Sequence, residues 1–122
     1  MKKKLYFGHS TSYDYAKMYE KLQASSLATD YELILPYVKK PLNSADFYTH
    51  LALFVAEVSA PATGLGIEIG WAYDRKVPIV CVFAKGAKIS SSLQTVSKDF
   101  IEYENIDDMV NKLIVFVKAR LG

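Results

Sequence analysis

Glu68 is the only charged residue between Val58 and Tyr73. It stands in Gly64-Leu65-Gly66-Ile67-Glu68-Ile69-Gly70, among branched apolar side chains and three glycines. Glutamate is ordinarily a solvated surface residue, and a glycine inside a helix costs about 1 kcal/mol relative to alanine. The segment therefore has two readings. Glu68 is a solvated helix glutamate, or it is a carboxylate presented for chemistry as a nucleophile, acid or base. Its apolar neighbourhood favours the second. Gly66 and Gly70 lie four apart and share a helix face, which predicts close approach by a ligand, a partner helix or the sheet. The spacing is not a dinucleotide fingerprint, because Ile69 occupies the third glycine position, and it is not a P-loop.

Two small, hydroxyl-bearing clusters accompany Glu68. Gly8-His9-Ser10-Thr11-Ser12 ends a first apolar run, and Ser59-Ala60-Pro61-Ala62-Thr63-Gly64 ends a third. Each precedes a predicted helix, whose unpaired N–H groups and positive dipole suit an anion such as phosphate; each also reads as ordinary turn and capping residues. His9 is placed to touch substrate or to fill its turn. Glu57 closes the third strand and reads as a loop cap, and His50 fits a helix C-terminus. No Cys/His spacing suggests a metal and no Ser-His-Asp arrangement stands out, so neither metal nor cofactor is expected.

These residues need a frame that brings the two clusters together. Leu5–Phe7 reads as a first strand, followed by a helix from Tyr13 to about Ala28, with Tyr15, Met18, Tyr19 and Leu22 at helical spacing and Ser12 as its N-cap. Tyr31–Leu35 is a second strand. Asn43 is read as the cap of a short helix ending near His50. Leu51–Val58 and Val77–Phe83 are strands apolar on both faces, separated by a helix from Gly64 to Lys76. A short helix from Ser90 to Val96 and a strand from Phe100 to Tyr103 follow. Ile106, Met109, Val110, Leu113, Val117 and Leu121 form the stripe of a last helix. Alternating strands and helices with doubly apolar strands predict an α/β fold: a five-stranded parallel sheet, doubly wound, in the flavodoxin-like order 2-1-3-4-5. In such a sheet the loops after strands one and three meet at the switch point, where ligands bind.

With 122 residues and 51% apolar side chains, one domain with a real core is expected. The net charge is +2, partly from Lys2-Lys3-Lys4, which reads as a solubilising tail; no basic stripe points to nucleic acid. No apolar run approaches the ~20 residues of a membrane helix, and no signal-peptide pattern is present. The single cysteine, Cys81, lies in an apolar run and gives no sign of an oxidising compartment. The expectation is a cytoplasmic protein.

Taken together, Tyr6-Phe7-Gly8-His9-Ser10, Ala56-Glu57-Val58-Ser59 and Gly64-Leu65-Gly66-Ile67-Glu68-Ile69-Gly70 resemble the nucleoside 2-deoxyribosyltransferase family, and within it the 2′-deoxynucleoside 5′-monophosphate N-glycosidases. The resemblance implies that Glu68 is a nucleophile at the anomeric carbon, with Tyr6 beside it. It implies a sugar-phosphate pocket lined by the Gly8–Ser12 loop, by Ser59, Thr63 and Gly64, and by Gly66. It implies a homodimer or larger assembly in which a neighbour's loop after strand four, here with Ser91 and Ser92, completes the site. The monophosphate branch carries a serine where this chain has Ala62. An aspartate that would protonate the leaving base falls near Ser44, with Asp46 the candidate, and Ala52 replaces an aspartate often found entering strand three. The expected partner is a small nucleoside or nucleotide. Two other readings stand beside this one: a nucleotide-binding or signalling module without turnover, and a structural oligomer whose glycines serve packing.

Overall fold

The computed structural model describes residues 1–38 and 45–122. Asn43 and the segment that joins Val38 to the short helix, Ser44 included, lie outside the described residues. Five strands, β1 (Lys4–Gly8), β2 (Glu32–Ile34), β3 (Leu53–Glu57), β4 (Ile79–Ala84) and β5 (Asp99–Tyr103), form one sheet in the order β2-β1-β3-β4-β5. Every pairing is parallel, with Tyr6 opposite Phe54 and Gly8 opposite Ala56. The fold is α/β and flavodoxin-like.

Strand alternation sends side chains to two cores. Leu5, Phe7, Leu53, Val55, Val80 and Val82 pack beneath α1 (Tyr15–Gln23) and α4 (Ile106–Leu121). Tyr6, Phe54, Ala56, Ile79 and Cys81 pack beneath α3 (Thr63–Asp74) and a 3-10 helix, Ala45–His50. Cys81 is buried among these apolar side chains, and its burial pushes the thiol up to about 11. α4 is built as its sequence reads: Asn105 caps it by accepting from the Asp108 N–H, acids fill the first turn, bases the last, and Met109, Val110, Leu113 and Val117 face the core.

Several boundaries differ from expectation. The helix expected over Tyr13–Ala28 is two helices, α1 and α2 (Ser26–Asp30). Ser25 breaks it: its extended backbone caps α2, its hydroxyl accepting from the Leu27 N–H and donating to the Leu22 carbonyl. Ser12 does not cap α1; that position falls to Asp14, without a side-chain bond. The short helices before β3 and after β4 are 3-10 turns, the latter Ser91–Thr95 capped by Ser90. The sheet is not what approaches the glycine face of α3, for a Cβ at Gly64, Gly66 or Gly70 would meet no described residue within 4 Å. Among the described residues no helix is long and apolar enough to cross a membrane.

Candidate active site

β1 and β3 are adjacent, so the loops leaving their carboxyl ends meet where the chain reverses its direction of travel across the sheet. Gly8 makes that meeting close. A Cβ there would lie 2.7 Å from the Phe54 ring and 2.9 Å from Leu65, so only glycine lets α3 and Phe54 crowd the end of β1. A cleft of about 910 Å³ opens above, within the range of small-molecule sites.

Glu68 lies on this cleft, one turn into α3. The Tyr6 hydroxyl donates to its Oε2 at 2.6 Å and the Tyr48 hydroxyl donates to the same oxygen at 2.8 Å. Tyr6 comes up from β1, fully buried; Tyr48 comes across from the 3-10 helix before β3. Tyr6 meets Phe47 and Tyr48 edge-on and Phe54 at a tilt, Phe54 stacks on Tyr48, and Trp71 leans on Tyr48. No described residue bonds Oε1, and no buried side-chain polar atom among those residues lacks a partner, so Oε1 is open to the cleft. Burial, with Glu68 beside them, pushes both phenols above the ordinary tyrosine range, and they stay donors. The result is a carboxylate with one oxygen clamped and one presented.

The other wall is the β1–α1 loop. Ser10, Thr11 and Ser12 line the cleft, with the Ser10 and Ser12 hydroxyls 2.8 Å apart. His9 also reaches the lining, but both ring nitrogens are committed: Nδ1 to the Ser10 carbonyl at 2.9 Å and Nε2 to the Tyr19 hydroxyl at 2.6 Å. A carbonyl only accepts, so Nδ1 carries the hydrogen and Nε2 accepts from Tyr19. Burial pushes the Tyr19 phenol up to about 12, keeping it a donor. Tyr15 stacks on the imidazole and Tyr37 meets it edge-on. His9 thus offers a ligand its ring, not a nitrogen. At the start of α3, Ala62 holds the N-cap position with no side-chain bond, and Thr63 and Gly64 line the cleft beside it. The first-turn N–H groups carry no side-chain cap.

The structure thus gathers Glu68, Tyr6, His9, Ser10, Thr63 and Gly64 along one cleft. Gly8, Ser59, Gly66, Ser91, Ser92 and Asp46 are not in its lining. Gly8 serves packing. Ser59 bonds Glu57 and the Ala84 N–H. Asp46 is exposed and ion-paired to Arg75 at 3.4 Å, and Ser91 and Ser92 sit in the turn after β4. Tyr48, Tyr37 and Trp71 line the cleft without having been singled out. Their signal in the sequence was only aromatic density around short helices.

No protein-family model matches the sequence, and no curated protein does. Solved structures do. The CMP N-glycosidase BcmB of Clostridium botulinum superposes with a TM-score of 0.68 at 25% identity, covering 92% of this chain and 99% of that one. A conserved protein of Enterococcus faecalis V583 gives 0.63 at 14% identity over 95% and 99% of the two chains. A signal receiver domain from Vibrio parahaemolyticus gives 0.56 at 12% identity over 98% and 93%. The last two are likenesses of fold alone. The first is an N-glycosidase, at higher identity and over nearly the whole of both chains.

Proposed function

We propose that this chain cleaves the N-glycosidic bond of a nucleoside 5′-monophosphate or nucleoside, with Glu68 reacting at the anomeric carbon. The observation that carries the reading is the Glu68 carboxylate itself: Oε2 held by two phenols, Oε1 open to a cleft of nucleotide size. Oε1 would bond to C1′ as the C1′–N bond breaks and the base leaves with the electron pair, taking up a proton from water in the cleft, which the attacking water of the next step gives back. Water would then attack C1′ and free Glu68, or a second base would take the sugar instead. A nucleobase spreads the departing electron pair over its ring, so a second carboxylate is needed less than between two sugars. This accords with Glu68 being the only carboxylate among the described lining residues. Asp46, outside the cleft, has no part in this reading.

The start of α3 supports a phosphate-bearing substrate. Alanine is a poor N-cap, and at Ala62 it leaves N–H groups that an anion can bind. Thr63 and Glu68 lie five residues apart, about 7.5 Å of helix rise, so one helix would hold a phosphate and still present a carboxylate to the sugar. Likeness to a CMP N-glycosidase puts ribonucleotides beside 2′-deoxynucleotides as candidates. Ser91 and Ser92, outside their own cleft, would reach that of a second copy in a homodimer. Light scattering on the eluting protein checks the assembly.

The test is to incubate the protein with CMP, dCMP, other monophosphates and the matching nucleosides, and to follow free base by chromatography. Glu68→Ala should lower release at least ~100-fold, since the nucleophile is gone. Equal release from both proteins would sink the mechanism. Tight binding without release would favour a nucleotide-binding module of the same fold.

A further inference from the structure

A second carboxylate, used by no step above, lies behind the cleft. Glu57 ends β3 with 2% of its surface exposed and turns to the face away from Glu68, where Leu53 and Val55 also point. None of the ion pairs among the described residues includes it. Three donors converge on it instead. The Ser59 N–H donates to Oε1 at 2.9 Å, and the Ser59 and Tyr103 hydroxyls donate to Oε2 at 2.7 and 2.5 Å. Taking a carboxylate out of water is costly even when hydrogen-bonded, so its retention at a strand end needs a reason that packing does not supply.

The reason lies in what the donors are attached to. Ser59 belongs to the β3–α3 loop, and its oxygen also accepts from the Ala84 N–H at the end of β4. Tyr103 has given its hydrogen to Glu57, so the Tyr13 hydroxyl donates to it at 2.8 Å. Tyr13 belongs to the β1–α1 loop, and its N–H returns to the Ser10 carbonyl. One buried carboxylate is therefore joined to both walls of the cleft, through Ser59 on one side and through Tyr103 and Tyr13 on the other. We propose that Glu57 is a positioning residue that couples these two loops and so fixes how the phosphate of a substrate is held between them.

The proposal rests on reading the cleft as a nucleotide site, and its test separates the two. Tyr103→Phe and Tyr13→Phe each remove one hydroxyl and cut only the arm to the β1–α1 loop. Turnover is measured on CMP and cytidine, and Kd for both by quenching of Trp71, the single tryptophan, which lines the cleft. Each variant should raise KM and Kd for CMP ~10-fold, leave kcat within ~3-fold, and leave cytidine unmoved. A merely structural role would lower the melting temperature and shift CMP and cytidine alike, or neither, and that result overturns the proposal. If the wild type binds CMP without cleaving it and the variants bind CMP selectively more weakly, the glycosidase reading fails and the role of Glu57 stands. A wild type that binds neither compound overturns both.

Discussion

Two glutamates eleven positions apart are built from the same parts and left in opposite states. Glu68 and Glu57 each accept from tyrosine hydroxyls, and no ion pair among the described residues includes either. They face opposite sides of the sheet. Glu57 has both oxygens engaged and no edge on the cleft; Glu68 has one engaged and one open. Saturating a carboxylate makes it a tie. Leaving one oxygen unspent, on a cleft, suits it to the reacting role proposed for Glu68. The difference is set by where the donors come from: Glu57 is met by its own loop and by β5, two strands away, Glu68 by one ring from β1 and one from the 3-10 helix, both on the same oxygen.

The sharpest way to break the comparison is to make the same substitution twice. Glu68→Gln keeps size and shape and should cut base release at least ~100-fold while leaving the melting temperature within ~2 °C. Glu57→Gln should do the reverse. Its amide turns a donor toward donors, costing about 2 kcal/mol of stability, while kcat stays within ~3-fold. Activity assays beside thermal melts read both, and similar profiles for the two variants would mean that the two carboxylates are not doing different work.

A smaller effect tests the clamp. Tyr48→Phe and Tyr6→Phe each remove one donor to Oε2 and should lower kcat ~10-fold, about 1.4 kcal/mol each. The double variant should lose less than the sum, because the two hydroxyls share an acceptor. Unchanged kcat in both would make Glu68 indifferent to its orientation.

That clamp also marks the limit of what the sequence discloses. Apolar runs and the stripe of α4 announce strands, order and layers, because burial on two faces leaves a composition that local reading detects. Glu68 is conspicuous for the same reason, a charge in an apolar segment. Its partners are less so: Tyr6, 62 residues away, is placed beside it only by the family resemblance, and Tyr48, 20 residues away, by nothing in the sequence, since only the fold brings them near. The break in the first helix turns on a single side chain, Ser25, whose capping bond competes with a helical pattern that continues past it. Asp46 looked promising by type and position, but the 3-10 turn carries Tyr48 inward and leaves Asp46 on the surface beside Arg75.

Both carboxylates also leave a mark on stability at high pH. Burial first, then the neighbouring glutamate, raises Tyr6, Tyr48 and Tyr103 above the ordinary tyrosine value of about 10. Above that pH the unfolded chain releases phenolic protons that the folded chain keeps, so it binds fewer protons and stability falls as pH rises. Below it these groups contribute fully and the curve is flat on their account. Melts between pH 8 and 11 should show the fall beginning near pH 10, shallower in Tyr6→Phe and in Tyr103→Phe. An undiminished slope in either variant would remove that phenol from the account.

The smallest expected effect, at Gly66, concerns the face of α3 turned from the cleft and is sharpest beside a change at Gly8. A Cβ at Gly8 meets the Phe54 ring at 2.7 Å, while one at Gly66 meets no described residue within 4 Å. Gly8→Ala should destabilise by about 1–3 kcal/mol through overpacking. Gly66→Ala should instead stabilise by up to about 1 kcal/mol, because alanine is the better helix former and has room. A melting temperature that rises in dilute solution fits a helix face that is open in the single chain. If the variant gains no stability as the protein is concentrated while the wild type does, or elutes smaller than the wild type, a second copy rests on that face. α3 would then present Glu68 to the cleft from one side and Gly66 and Gly70 to a second copy from the other.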